Sequence, residues 1–142
     1  ETGAFSCCSS LTSLTIPDSV TSIGTGVFEQ CSSLQELTIP FVGSSKEATS
    51  ASESTLFAYF FGKNDFEDST KITRRISTGT YSYYNVFYYI PNSLKKVTVT
   101  GGNLFQEAFM NCSELTSIII PDGITKIETW TFCNCKNLTK EG

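Results

Sequence analysis

The sequence predicts a repeat solenoid of short parallel β-strands with a 23-residue period and one large insertion. Three observations predict it. Phe5, Cys8, Leu11, Leu14, Ile16 and Pro17 recur 23 residues on as Phe28, Cys31, Leu34, Leu37, Ile39 and Pro40. Phe109, Cys112 and Leu115 recur at the same spacing as Phe132, Cys135 and Leu138. Between Pro40 and Pro91 the period is lost. A unit this short cannot close its own core and must stack on its neighbours.

One repeat can be read residue by residue. Leu11, Leu14 and Ile16 follow a leucine-x-x-leucine-x-leucine rhythm. Leu14 and Ile16 alternate with Ser13 and Thr15, which predicts a short half-buried strand. Pro17 ends the ladder because it has no N–H to donate. Asp18-Ser19 supplies turn chemistry, and Val20 and Ile23 return to the core. Val27 and Phe28 then point inward again. Stacked copies place their strands about 4.8 Å apart, with the outward residues of successive strands in rows.

The middle of the chain departs from this plan. Gly43 to Thr55 is rich in Ser, Thr and Ala and reads as an exposed loop. Leu56 to Phe61 is a compact apolar run, either a buried strand or a helical turn. Asn64 to Asp68 is acidic and Lys71 to Arg75 basic. Tyr81 to Tyr89 has high β-propensity and reads as a strand or hairpin arm. All 6 tyrosines fall between Tyr59 and Tyr89. Two registers then return the chain to the solenoid. In the one with more identities, Ile90-Pro91-Asn92-Ser93 repeats Ile16-Pro17-Asp18-Ser19. In the other, Leu94, Val97 and Val99 form the strand. The expected organisation is a single domain over 4–142, with repeats at 4–40, an aromatic-rich insertion at 41–89, and repeats at 90–142 cut short at the end. Residues 1–3, Glu-Thr-Gly, read as a cloning remnant, and the chain as an excerpt of a longer array.

Composition removes several function classes. With 142 residues, 39% of them hydrophobic and 17% charged, the chain can pack a core. There is no His, which excludes a Ser–His triad, a His-ligated zinc site and an imidazole base. A net charge of −4 gives no basic face for nucleic acid. No apolar run reaches the ~20 residues of a membrane-spanning helix. Asp18 and Asp122 follow Pro at strand exits and serve turns. Gly24-Thr25-Gly26 has no downstream Lys-Ser/Thr and is no phosphate loop. Catalytic, cofactor-binding and metal-ligating residues are therefore expected to be absent, and the chain is not expected to be an enzyme.

Four cysteines, Cys8, Cys31, Cys112 and Cys135, share one repeat position. Stacking sets neighbours within disulfide range, yet ladder side chains run parallel, and buried Cys behaves as a small apolar residue. A buried thiol ladder is the expected reading. Cys7 and Cys133 fall off the ladder, exposed or bridged. Asn111-Cys112-Ser113 and Asn137-Leu138-Thr139 fit the N-glycosylation sequon, which matters only in a chain secreted by eukaryotic cells.

Ile16-Pro17-Asp18-Ser19-Val20-Thr21-Ser22-Ile23-Gly24, followed by Phe28, Cys31, Ser32, Ser33 and Leu34, resembles the BspA-like class of leucine-rich repeats. The resemblance covers about half the chain cleanly. It implies a surface or secreted protein of the kind found in bacteria and mucosal protozoa, located outside the cell, and an adhesin-like role without cofactor or catalysis. The implied partner is a host extracellular matrix protein or cell-surface receptor. Two surfaces could carry such binding. One is the insertion, through Tyr81, Tyr83, Tyr84 and Phe87, because tyrosine-rich elements give large rigid contacts. The other is the outward strand row with Glu36, Thr38, Lys96 and Thr98. The competing expectation is a passive spacer, with the tyrosine segment packed inward.

Overall fold

The computed structural model describes residues 2–139. Glu1 of the presumed remnant and residues 140–142 of the last repeat lie outside the described residues.

Among the described residues, six strands form two sheets. Strands β1 (Ser13–Thr15), β2 (Glu36–Ile39), β5 (Lys96–Val99) and β6 (Ser117–Ile119) make a parallel sheet in that order. Strands β3 (Ser69–Ser77) and β4 (Tyr83–Pro91) pair with each other, antiparallel. The parallel sheet is short because each coil supplies only three or four residues before its turn. Its inward row is Leu14, Leu37, Val97 and Ile118, and the two central members are essentially inaccessible.

Opposite the sheet, the coils are closed by phenylalanines. Phe5 stacks on Phe28 with centroids 6.0 Å apart, and Phe109 on Phe132 at 5.8 Å. The two stacks are joined through the middle segment. Phe28 lies 6.0 Å from Phe61, Phe61 lies 5.2 Å from Phe57, and Phe57 lies 4.9 Å from Phe109. Backbone bonds follow the same path. Phe5 N–H donates to Val27 C=O, Phe28 to Phe60, Phe57 to Ala108 and Phe109 to Thr131. The run Phe57–Phe61, a 3₁₀ turn, thus takes the place of the missing Phe-x-x-Cys turn in the third coil. Of the two readings of this run, the helical one holds.

Segment 41–89 therefore divides. Phe41, Val42 and residues 56–61 are solenoid core. The Ser/Thr-rich stretch between them is a loop pinned at its neck, where Ser44 N–H donates to Ser54 C=O at 2.7 Å. Gly43 sits there at φ +102°, and a Cβ would fall 2.3 Å from Ser54 O, so only glycine fits. The true excursion is the β3–β4 hairpin.

The return register differs from the one with more identities. Ile90 and Pro91 end β4 and pair with Thr70 and Ser69; they do not repeat Ile16-Pro17. Leu37 pairs with Val97 and Ile39 with Val99, so Leu94, Val97 and Val99 are the strand positions of the third coil. Strand pairing decides it, and burial agrees: Leu94, Val97 and Val99 are each at most 1% exposed, whereas the alternative would put Val99 at the outward position of Thr25.

Candidate functional site

The hairpin has two faces, fixed by strand alternation. Ile72, Arg74 and Ile76 of β3, opposite Tyr88, Val86 and Tyr84 of β4, form the inner face. Ile72 shares a void of about 10 Å³ with Ile90, Leu94, Cys112 and Leu115, which packs the hairpin's base on the solenoid flank. Tyr88 is wholly buried, and its hydroxyl donates to Glu53, which is also 2.7 Å from Lys63. Burial and the neighbouring carboxylate hold the Tyr88 phenol far above its ordinary range. Burial alone would raise the Glu53 carboxyl, but Lys63 and Tyr88 outweigh it and hold that group below its ordinary value.

The outer face carries Lys71, Thr73, Arg75 and Ser77 opposite Tyr89, Phe87, Asn85 and Tyr83. Lys71 Nζ stands 4.0 Å from the Phe87 centroid, and Arg75 Cζ lies 3.3 Å from that of Tyr83. These cation–π pairs hold the rings flat against the strand while leaving them accessible. At the tip, Thr78 N–H donates to Ser82 C=O at 2.9 Å and closes a short loop that carries Tyr81.

All four aromatic residues singled out from the sequence are accessible. Tyr81 is 96% exposed, Tyr83 55%, Tyr84 47% and Phe87 37%. They do not share one face: Tyr83 and Phe87 are on the outer face, Tyr84 on the inner, Tyr81 on the tip. The strand row is a second, separate surface. Glu36 pairs with Lys96 and Thr38 with Thr98, extended by Ser13 and Ser117 on one row and Thr15 and Ile119 on the other.

Sequence reasoning missed the residues between hairpin and solenoid. A cleft of about 540 Å³ is lined by Arg74, Arg75, Tyr81, Tyr83, Glu107 and Trp130, among others. Arg74 forms an ion pair with Glu107, whose side chain is 6% exposed. Glu107 and Trp130 occur two residues before Phe109 and Phe132, where Gly3 and Gly26 precede Phe5 and Phe28. All four have positive φ, between 61° and 66°. The backbone of the Phe turn requires a left-handed residue there, and two coils fill the slot with a side chain at a conformational cost. The signal was present in the repeat alignment as a Gly-to-Glu and Gly-to-Trp change.

The cysteines are free thiols among the described residues. Cys31 Sγ donates to Phe5 C=O at 3.1 Å and Cys135 Sγ to Phe109 C=O at 3.0 Å, the same bond in two coils. Burial pushes the Cys31 and Cys135 thiols up to about 11 and Cys112 well above its usual value. Such thiols are poor nucleophiles at neutral pH. Of the ladder positions, Cys31 and Cys112 are buried, and Cys8 and Cys135 at the two ends are half-buried. Off the ladder, Cys7 is exposed and Cys133 half-buried. In the sequons, Asn111 Oδ1 accepts from Asn134 at 2.9 Å, and Asn137 Nδ2 donates to Ser113 C=O at 2.8 Å. A glycan on Asn137 would have to replace that bond. Among the described residues no helix is long and apolar enough to cross a membrane, and no group of three or more His, Cys, Asp or Glu side chains converges as a metal site would.

A family model described as "BspA type Leucine rich repeat region" matches the chain in 6 copies over residues 1–139. No curated protein and no solved structure matches it.

Proposed function

The chain belongs to the BspA-type leucine-rich repeat family, and from that premise we propose that it is an extracellular recognition module that binds a host matrix protein or cell-surface receptor through its hairpin. Proteins of this family are typically surface-associated and implicated in binding, and their repeat fold is non-catalytic. The observation that carries the reading is the accessibility of Tyr81, Tyr83, Tyr84 and Phe87 on an element anchored at its base by buried Tyr88. A spacer gains nothing from exposed rings, which invite nonspecific association. A binder gains rigid contacts at low entropy cost. The strand row with Glu36, Thr38, Lys96 and Thr98 is the second, more polar surface, and it would contribute a contact area of its own on the sheet.

Immobilised chain should be screened against purified matrix proteins and receptor ectodomains. A specific partner is expected, with Tyr81→Ala and Tyr83→Ala each weakening it tenfold or more, the scale of a hot-spot residue. Absence of any partner, or a partner indifferent to both variants, would remove the hairpin from the function.

A further inference from the structure

The free edge of β3 lies beside the cleft lined by Arg74, Arg75, Tyr81 and Trp130. We propose that this edge takes an extended peptide with acidic side chains at every second position, added to β3 as a third strand. This rests on the recognition reading above and names the chemistry of one ligand.

Main-chain geometry comes first. Tyr89 N–H, opposite Lys71, donates to Gly62 C=O at 3.2 Å and not to β3. The Lys71–Tyr89 pair is therefore of the non-hydrogen-bonded kind, and alternation puts Thr73, Arg75 and Ser77 in the same class. Their N–H and C=O groups point away from β4. Thr73, Arg75 and Ser77 are exposed, and no backbone bond to another element satisfies these groups among the described residues. An open strand edge with unpaired donors and acceptors is the template that strand addition uses.

Side chains then select the partner. Strand β3, Ser-Thr-Lys-Ile-Thr-Arg-Arg-Ile-Ser, holds three cations and no acid in a chain of net charge −4. Arg74 is neutralised by Glu107, which leaves Lys71 and Arg75, both on the outer face. A strand laid beside β3 would meet these two charges along one face, and acids on alternate residues would match them. Its other face would turn toward the cleft, where Trp130 and Tyr81 offer apolar surface. A second copy of this chain fits poorly, because pairing β3 with β3 sets cations against cations.

The test uses the whole chain and a fluorescent eight-residue peptide of alternating Val and Glu, with a Val-Lys peptide as its counterpart. Fluorescence anisotropy should show the Val-Glu peptide binding at least tenfold more tightly, with Arg75→Glu reversing the order. Thr73→Pro removes one outward N–H without touching the β3–β4 ladder or the charge, and should weaken binding tenfold. Amide exchange at Thr73, Arg75 and Ser77 should slow when the peptide is present. Equal binding of both peptides, no binding, or binding that leaves these amides unprotected would overturn the proposal. So would a dimer of the free chain that Thr73→Pro dissociates, which would assign the edge to a second copy. If matrix proteins bind while neither peptide does, strand addition fails and the recognition reading stands. If only the peptide binds, the reverse holds.

Discussion

Phe28, Phe57 and Phe109 in the solenoid are wholly buried, while Tyr81 on the hairpin is 96% exposed. The two regions draw on aromatic residues for opposite ends. In the solenoid each ring lies over the ring of the next coil, so stacking delivers burial, through the repeat period at Phe28 and Phe109 and through the 3₁₀ turn at Phe57. The hairpin belongs to no period. Its base, at Ile72, Val86, Tyr88 and Ile90, is buried, Ile76 packs partly on the core, and the tip around Tyr81 stands exposed beside the cleft. The contrast teaches that buried and exposed aromatic residues are divided between the two regions, so that on the proposed reading stability and binding can be altered separately.

The separation is broken most directly from the solenoid side. Phe109→Ala opens a cavity where the stacks from the two ends of the chain meet, and should cost about 3–5 kcal/mol, read as a lower midpoint in denaturant unfolding. Arg74→Ala attacks the joint between the regions. It leaves the Glu107 carboxylate buried without its partner and should cost about 3 kcal/mol, with faster amide exchange in the hairpin than in β2 and β5. The Glu53–Lys63–Tyr88 cluster makes the hairpin's anchorage sensitive to acid. The Glu53 carboxyl is held below its ordinary 4.5 in the folded chain, so its contribution is complete above that pH and is lost as pH falls below it. Thermal unfolding across that range should show the loss, and Glu53→Gln should flatten it. Tyr81→Ala closes the series. It should change stability by no more than about 0.5 kcal/mol while weakening binding about tenfold or more. A large loss of stability there would show that the tip is structural after all.

The solenoid was legible because its residues repeat, and repetition exposes register. Leu14, Leu37 and Ile118 could be placed from spacing alone. The third coil could not, because its strand lies 60 residues after Leu37 when Val97 is taken as the partner, and Ile90-Pro91 imitates a strand exit that the hairpin uses otherwise. Pairing of Val97 with Leu37 and of Val99 with Ile39 settles that choice, and pairing is a property of the folded chain. The exposed tyrosines were visible as a cluster, but their division between two faces depends on pairing with β3. The cleft was invisible for a different reason. Arg74, Glu107 and Trp130 come from separate stretches of sequence, and only the overhang of the hairpin brings them together.

The left-handed slot before each phenylalanine has a consequence for how such a wall can diversify. Because the slot takes Gly26, Glu107 or Trp130 over the same backbone, the group at one storey can differ from that at the next while the aromatic pillar beneath stays as it is. Where the group stands exposed, as Trp130 does, the chemistry of the flank can drift without renegotiating the fold; where it is buried and paired, as Glu107 is, its partner must change with it.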